Sequence, residues 1–307
     1  MTKAGPAGPK YTPYLAGSSF AIGLSAIDPR YWLEPDADLD AFLAEKQRLL
    51  QTQPDAVFQQ VQGSQAGQRE CLALVVAHLL EDHPDLCRRT GNRLEIAGRT
   101  IDLDSEAPPL ITAGSLIQDD LVILSRRETG WHVVAGYVAF PSAWSLREKI
   151  GHPMEIVHAH VPGFAGGTRN AAMINRIFDN LQPDLPAMRM NWSIYPEGEL
   201  FWPPERNDEA NRRPFSAATN FVRVERQVLR RLPETGDIVF SISIYSDPIG
   251  SLAALPNAPD VAAALIQRLE NLTSDQLAYK GMAGKKAALV GYLSGLMARP
   301  TGGLPAR

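Results

Sequence analysis

Two imidazoles stand two residues apart in the stretch MEIVHAHVPGF, Met154 to Phe164, where His158 and His160 interrupt an apolar run that closes at Pro162 and Gly163. An imidazole taken out of water must be hydrogen-bonded or bind something, and its neutral form is a common metal ligand. Extended backbone over Glu155–Val161 puts both rings on one face, because side chains alternate with a period of two. Facing one cavity, they suit an axial ligand to a haem or metal ion with a second histidine beside it. The commoner occupant of such a run is a hydrogen-bonded core histidine, and the spacing alone does not separate the two.

Two further clusters carry polar groups among apolar ones. In MRMNWSIY, alternation sets Arg189 and Asn191 on one face and Trp192 on the other. That face could line a pocket, or Arg189 could pair with a nearby carboxylate while Trp192 joins the core. In FVRVERQVLRRL, Arg223, Glu225 and Arg226 crowd what reads as a strand-to-helix junction. A solvated helix start explains such a cluster, with Glu225 favoured by the N-terminal dipole. The functional alternative is that Arg223 holds a carboxylate through its planar fork of donors. Tyr279-Lys280-Gly281 reads as a helix end with a glycine cap and a structural role. His132 opens a strand and His152 precedes a proline at a turn, which makes both less attractive ligands than His158, and His78 and His83 near a helix end read as structural.

Other chemistries lack their residues. Cys71 and Cys87 form no C-x-x-C pair, so this chain offers neither an iron–sulfur cluster nor a structural zinc site. Cys71, inside CLALVVAHLL, reads as a core residue. The irregular GFAGG at Phe164 is not flanked as a dinucleotide fingerprint would be, and no G-x-S-x-G or H-E-x-x-H occurs. The 307 residues carry a net charge of -4 with both signs scattered, which gives no basic stripe for nucleic acid. A 45% apolar and 21% charged composition is that of a globular protein with a sizeable core. No run approaches the roughly 18 apolar residues of a membrane span, and the Pro/Gly-rich start lacks a signal-peptide apolar region; a cytoplasmic location is the expectation.

The elements that must position these residues alternate between helix and strand. Asp38–Gln51, with Asp36 or Asp38 as cap, reads as a helix, followed by a short helical piece over Pro54–Val61 and an apolar helix over Gln68–Leu80. Arg93–Leu103 reads as a hairpin turning at Ala97-Gly98. Leu121–Leu124 and His132–Phe140 read as strands joined through Glu128-Thr129-Gly130, and Met190–Ile194 and Phe221–Val224 as short strands. Asn170–Leu181 and Glu225–Leu232 read as helices ended by prolines. Asp237–Tyr245 is a strand in which Ile238, Phe240, Ile242 and Ile244 alternate with serines. Helices over Ala258–Leu269, Asp275–Lys280 and Lys285–Met297 precede a frayed tail, residues 298–307. Helices around a block of strands make an α+β fold with an antiparallel sheet. The chain reads as one domain, with residues 1–90 a helical N-terminal extension, 91–246 the sheet core and 247–307 the C-terminal helices.

Taken together, FPSAWSLREKIG, VHAHVPGF, MRMNWSIY, FVRVERQVLRRLPETGDIVFSISIY and LAYKG resemble the haem-dependent oxidative N-demethylase alpha-subunit family over roughly Leu121–Gly281. Val157-His158 matches the I-H of the family's I-H-x-P-V-P-G pattern and Val161-Pro162-Gly163 its V-P-G, while His160 stands where the family usually has proline. The resemblance implies a PAS-like α/β domain holding haem b, with electrons from a separately encoded flavin and iron–sulfur reductase. The implied reaction is oxidation of a small methylated amine with dioxygen, through a carbinolamine that releases formaldehyde. On this reading His158 is the iron ligand and His160, Arg189, Asn191 and Arg226 join it in holding the cofactor. Arg223 and Glu225 are the catalytic candidates, Glu225 by accepting a proton or holding the substrate ammonium. The rival readings are a non-catalytic haem or small-molecule sensor on the same fold, and a cofactor-free binding protein in which His160 marks loss of haem.

Overall fold

The computed structural model describes residues 8–16, 22–211 and 215–297. Residues 1–7 of the lead-in and the tail read as frayed lie outside the described residues. The strands are β1 (Ser25–Ala26), β2 (Phe58–Gln60), β3 (Cys87–Thr90), β4 (Arg93–Ile96), β5 (Arg99–Asp102), β6 (Asp120–Arg127), β7 (Gly130–Tyr137), β8 (Ala187–Tyr195), β9 (Phe221–Arg231) and β10 (Ile238–Pro248). The helices are α1 (Leu39–Thr52), α2 (Pro54–Val57), α3 (Gln65–Asp82), α4 (Pro109–Gly114), α5 (Leu146–Lys149), α6 (Met154–Val157), α7 (Arg169–Asn180), α8 (Pro204–Asn211), α9 (Ala258–Glu270), α10 (Ser274–Tyr279) and α11 (Lys286–Met297).

Seven strands form an antiparallel sheet in the order β1-β8-β9-β10-β6-β7-β2, and β3-β4-β5 form a separate three-stranded one. The fold is α+β, as the alternation of strand and helix patterns requires. β9 and β10 pair over their whole length, from Ile238 opposite Arg231 to Pro248 opposite Phe221. This long ladder is the axis of the molecule.

Both faces of the large sheet are covered. On one, Val228 and Val239 pack with Trp32, Leu33 and the apolar sides of α1, α3 and α4. On the other, Val122, Leu124, Val133 and Leu229 meet Phe164 and the Ile174 and Phe178 side of α7. Toward the β8–β9 end, Trp192, Val224 and Tyr245 pack with α9 and α11 through Leu265, Leu289 and Leu293. The serines that alternate along β10 are therefore buried as well, and Ser243 Oγ donates to Asp119 Oδ1 at 2.6 Å. In β7, Gly136 lets α5 approach the sheet: a Cβ there would stand 2.6 Å from Leu146 Cδ1.

The structure corrects three local expectations. Residues 225–231 continue β9 as strand and 225–232 form no helix, although Val228, Leu229 and Leu232 have helical spacing and Glu, Arg, Gln and Leu are good helix formers. Strands on both sides supply ladder partners here, and tertiary pairing overrides propensity. The dipole argument for Glu225 falls with that helix. Residues 155–161 are not extended either. Met154–Val157 is a helical turn, His158 N donates to Met154 O at 3.0 Å, and Val161 N donates to His158 O at 2.9 Å. β7 is already paired with β2 and β6, so the segment satisfies its own backbone in turns. Lastly, only the first half of 54–61 is helical, since Phe58–Gln60 pairs with β7.

Candidate functional site

Between the sheet and the α5–α7 segment lies a cavity of about 540 Å³, within the range of roughly 300–1,000 Å³ usual for small-molecule and cofactor sites. β6, β7, β9 and β10 build its apolar floor with Val122, Leu124, Val133, Leu229 and Phe240. Met154, Phe164, Ile174 and Phe178 form the opposite wall.

His158 enters this cavity from the turn after α6. Its Nδ1 is shut off from solvent and finds no hydrogen-bond partner among the described residues, and the ring lies tilted against Phe164 with centroids 6.3 Å apart. Burial above all, then the charges of Arg189 and Lys149, push its pKa down to about 4. The ring is therefore neutral at physiological pH, the state that binds metal. His160 also borders the cavity but is exposed, and the turn backbone separates the two rings from any shared strand face.

The other four histidines of the chain behave as structural residues or lie at turns. His132 meets Thr129 Oγ1 at 2.7 Å and Gly151 O at 3.0 Å, and His78 meets Asp82 at 2.8 Å. His83 Nε2 lies 3.2 Å from Leu33 O, and His152 is exposed at the turn before Pro153. Among the described residues, His158 stands apart as the histidine with a buried, partnerless ring nitrogen.

The polar end of the cavity is built by cross-strand neighbours. Asn191 of β8 stands opposite Glu225 of β9, and Arg189 opposite Gln227. Asn191 Nδ2 and Gln227 Nε2 both donate to Glu225 Oε2, at 3.2 and 2.7 Å, while among the described residues Oε1 accepts no hydrogen bond. Lys280, just past α10, donates to Asn191 Oδ1 at 3.3 Å and to the Trp192 carbonyl. Among the described residues, Arg189 finds no hydrogen-bond or ion-pair partner; burial lowers its pKa, while Glu225 and Tyr279 act to raise it. Trp192 points away into the core, 3% exposed, as the alternation of β8 requires.

Arg223 and Arg226 are not cavity residues. Arg223 lies on the same side of β9 as Glu225 but beyond the cavity's end, 1% exposed. Its guanidinium donates to Ser142 Oγ at 2.9 Å and to the carbonyls of Glu199, Phe140, Pro141 and Leu200 at 2.8–3.2 Å. Those bonds hold the 140–143 turn, whose Ser142 and Ala143 do line the cavity and whose Ala143 has a left-handed φ of 61°. Arg226 projects to the opposite face of the sheet, where it donates to the Tyr31 and Trp32 carbonyls and pairs with Glu34 at 3.3 Å.

The cavity also contains Gln227 and Lys149, which the sequence does not single out, and Tyr279 and Lys280, which it reads only as a helix end with a structural role. Gln227 would have been found by continuing the alternation of Glu225 along a strand. Lys280 had only its place before a capping glycine to mark it.

The residues fit a haem. A partnerless neutral imidazole suits its iron, apolar walls suit a flat macrocycle, and the unpaired Arg189 suits its carboxylates. A family model described as "Haem-dependent oxidative N-demethylase, alpha subunit-like" matches residues 23–290, most of the chain.

Proposed function

We propose that this chain, which belongs to the haem-dependent oxidative N-demethylase alpha-subunit-like family, is the oxygenase-type subunit of an enzyme that removes a methyl group from a small amine. The observation that carries the reading is the pairing, in one cavity, of His158 with a carboxylate whose Oε1 takes no hydrogen bond from the described residues, that of Glu225. The first is a metal ligand in waiting, and the second suits a cation.

In this reading a PAS-like sheet holds haem b, with one ring nitrogen of His158 on the iron and Arg189 on a haem carboxylate. Bound haem supplies the reductive activation of dioxygen, which side chains cannot perform. The chain's own residues do the rest. Glu225, fixed by Asn191 and Gln227, holds the ammonium form of the substrate through Oε1 and receives the proton that the amine must lose before its methyl group is oxidised. The apolar floor and Phe164 wall keep bulk water from the methyl group. Arg223 acts at a distance, keeping Ser142 and Ala143 in the cavity wall. The overall change consumes the methylated amine, dioxygen, two electrons and two protons, and yields the demethylated amine, formaldehyde and water. A separate flavin and iron–sulfur reductase delivers the electrons one at a time.

The test is spectroscopic and then chemical. Purified protein titrated with haem should show a Soret band that saturates near one haem per chain. Reduced chemically without oxygen, then mixed with oxygenated buffer and a panel of N-methylated amines, it should release formaldehyde in proportion to the electrons supplied. Haem binding without formaldehyde from any amine would make the protein a haem sensor, and failure to bind haem would make it a cofactor-free binding protein.

A further inference from the structure

We infer that Lys280 is a positioning residue of this site: by fixing the orientation of the Asn191 side-chain amide, it makes Asn191 a donor to Glu225 and so shapes Glu225 as a cation-binding carboxylate. The inference rests on the proposed amine-binding role of Glu225 and deepens it.

An asparagine amide has a donor end and an acceptor end, and its orientation follows from the partners on each side. On one side of Asn191 is Glu225, which when ionised can only accept. On the other is the Lys280 ammonium, which can only donate. Lys280 thus makes one orientation satisfy both ends and leaves the flipped one with oxygen facing oxygen and nitrogen facing nitrogen. Lys280 is itself fixed. It is 7% exposed and also donates to the Trp192 carbonyl. The helix that delivers it is closed at both ends, by a reciprocal Thr273–Gln276 capping box and by Gly281 at a φ of 65°. Gly281 N donates to Ala278 O at 3.0 Å and Met282 N to Leu277 O at 2.8 Å, so the turn carrying Lys280 has little freedom.

A bystander lysine and a positioning lysine differ in the sign of one measurement. As a mere nearby cation, Lys280 repels a bound ammonium, and removing its charge strengthens ammonium binding. As the residue that orients Asn191, its removal frees the amide to flip and weakens binding. The probe is dimethylammonium chloride, titrated by calorimetry into haem-loaded wild type, Lys280→Met, Lys280→Gln, Asn191→Ala, Glu225→Gln and the Lys280→Met/Asn191→Ala double variant. Lys280→Met should bind about tenfold more weakly, equivalent to about 1.4 kcal/mol. Lys280→Gln, which keeps a donor without the charge, should recover most of that loss, and the double variant should be no weaker than Asn191→Ala alone. Unchanged or tighter binding by Lys280→Met, with Glu225→Gln still impaired, overturns the role of Lys280 and leaves that of Glu225. If Glu225→Gln binds as well as wild type, or wild type does not bind, the amine reading fails instead. The role of Lys280 is then decided by the Asn191 side-chain amide resonance in nitrogen-15-labelled protein, identified by its loss in Asn191→Ala. Slowed proton exchange in wild type that is lost in Lys280→Met and kept in Lys280→Gln supports the inference, and identical exchange in all three overturns it.

Discussion

Arg223 and Asp120 hold the two ends of the same peptide residue: Arg223 Nη2 donates to the Phe140 carbonyl at 2.8 Å, and Asp120 Oδ2 accepts from the Phe140 N–H, also at 2.8 Å. Asp120 Oδ1 takes the Ala139 N–H as well, at 2.9 Å, and Arg223 continues to the Pro141 carbonyl and Ser142 hydroxyl. One buried anion and one buried cation thus define where β7 ends and the cavity wall begins.

The variant Arg223→Met tests this arrangement. It leaves the carbonyls of Phe140, Pro141, Glu199 and Leu200 without their shared donor, at about 1–3 kcal/mol for each that water does not reach. Denaturant unfolding should show a marked loss of stability, and Arg223→Lys should restore only part of it, because an ammonium lacks the planar fork. If Arg223 touched the cofactor, haem affinity would fall far more than stability. The geometry predicts that the two decline together.

Lys46 closes the same network from α1. Its ammonium donates to the carbonyls of Gly114 and Ile117, each at 3.1 Å, and to that of Asp119, and it lies 4.0 Å from Asp120. Burial pushes the Lys46 pKa down to about 8 and the Asp120 pKa up to about 6. Both shifts record a cost of holding charge away from water. Lys46→Met leaves the Gly114, Ile117 and Asp119 carbonyls without their shared donor and removes the buried positive charge beside Asp120, and should destabilise the protein by about 3–5 kcal/mol, measured by urea unfolding at neutral pH. In wild type, the raised Asp120 pKa takes stability away as pH rises from the ordinary carboxylate range toward about 6. The lowered Lys46 pKa means the unfolded chain holds more protons above about pH 8, so this group's penalty is relieved as pH climbs toward 10.5.

The order of helices and strands was legible from periodicity and turn residues, because most elements obey the local rules. The hairpin at Ala97-Gly98, the strand through Ile238–Ile244 and the helix from Arg169 are cases where pattern and structure coincide. The misreading of 225–232 has one cause: a strand buried on both faces does not alternate apolar with polar, and here Arg226 and Arg230 point into one packed face while Glu225 and Gln227 point into the other. Their charge looked like solvent exposure. For the same reason Arg223 reads in the sequence as a catalytic candidate and Arg226 as a cofactor-holding residue, since only the fold shows that backbone carbonyls occupy them. His158 stands out by residue type and context, although the extended backbone expected around it is a turn.

On the proposed reading, turnover from a nicotinamide draws on an electron carrier separate from this chain. Its two cysteines cannot hold an iron–sulfur cluster, and Cys71, on the buried side of α3, has its thiol pushed up to about 12 and away from the thiolate form. A hydride must be split into single electrons before it can serve a haem, which flavins do. Haem-loaded protein with NADH or NADPH and a methylated amine should therefore give no sustained formaldehyde. Adding a flavin and iron–sulfur reductase, or a chemical one-electron donor, should start it. Sustained release without either would sink the claim of a partner.

The sharpest prediction concerns which histidine binds haem, and at what pH. His158 has a buried, partnerless nitrogen and borders the cavity, while His160 is exposed at its edge. His158→Ala should abolish or severely weaken haem binding, and His160→Ala should perturb the spectrum without preventing it. Protonation supplies an independent check. The His158 pKa is depressed to about 4, first by burial and then by Arg189 and Lys149. Protons therefore do not compete with iron for this ring until the pH nears that value, and haem affinity should stay flat as pH falls through 6.5, where an ordinary histidine would begin to lose it. The same shift has a cost in the haem-free protein. Between pH 6.5 and about 4 the unfolded chain binds a proton that the folded ring refuses, so this group removes stability as pH falls through that window. Haem-free His158→Ala should lose less stability than wild type over that range. A haem affinity that drops with a midpoint near 6.5, or haem lost with His160→Ala and kept with His158→Ala, would overturn the assignment.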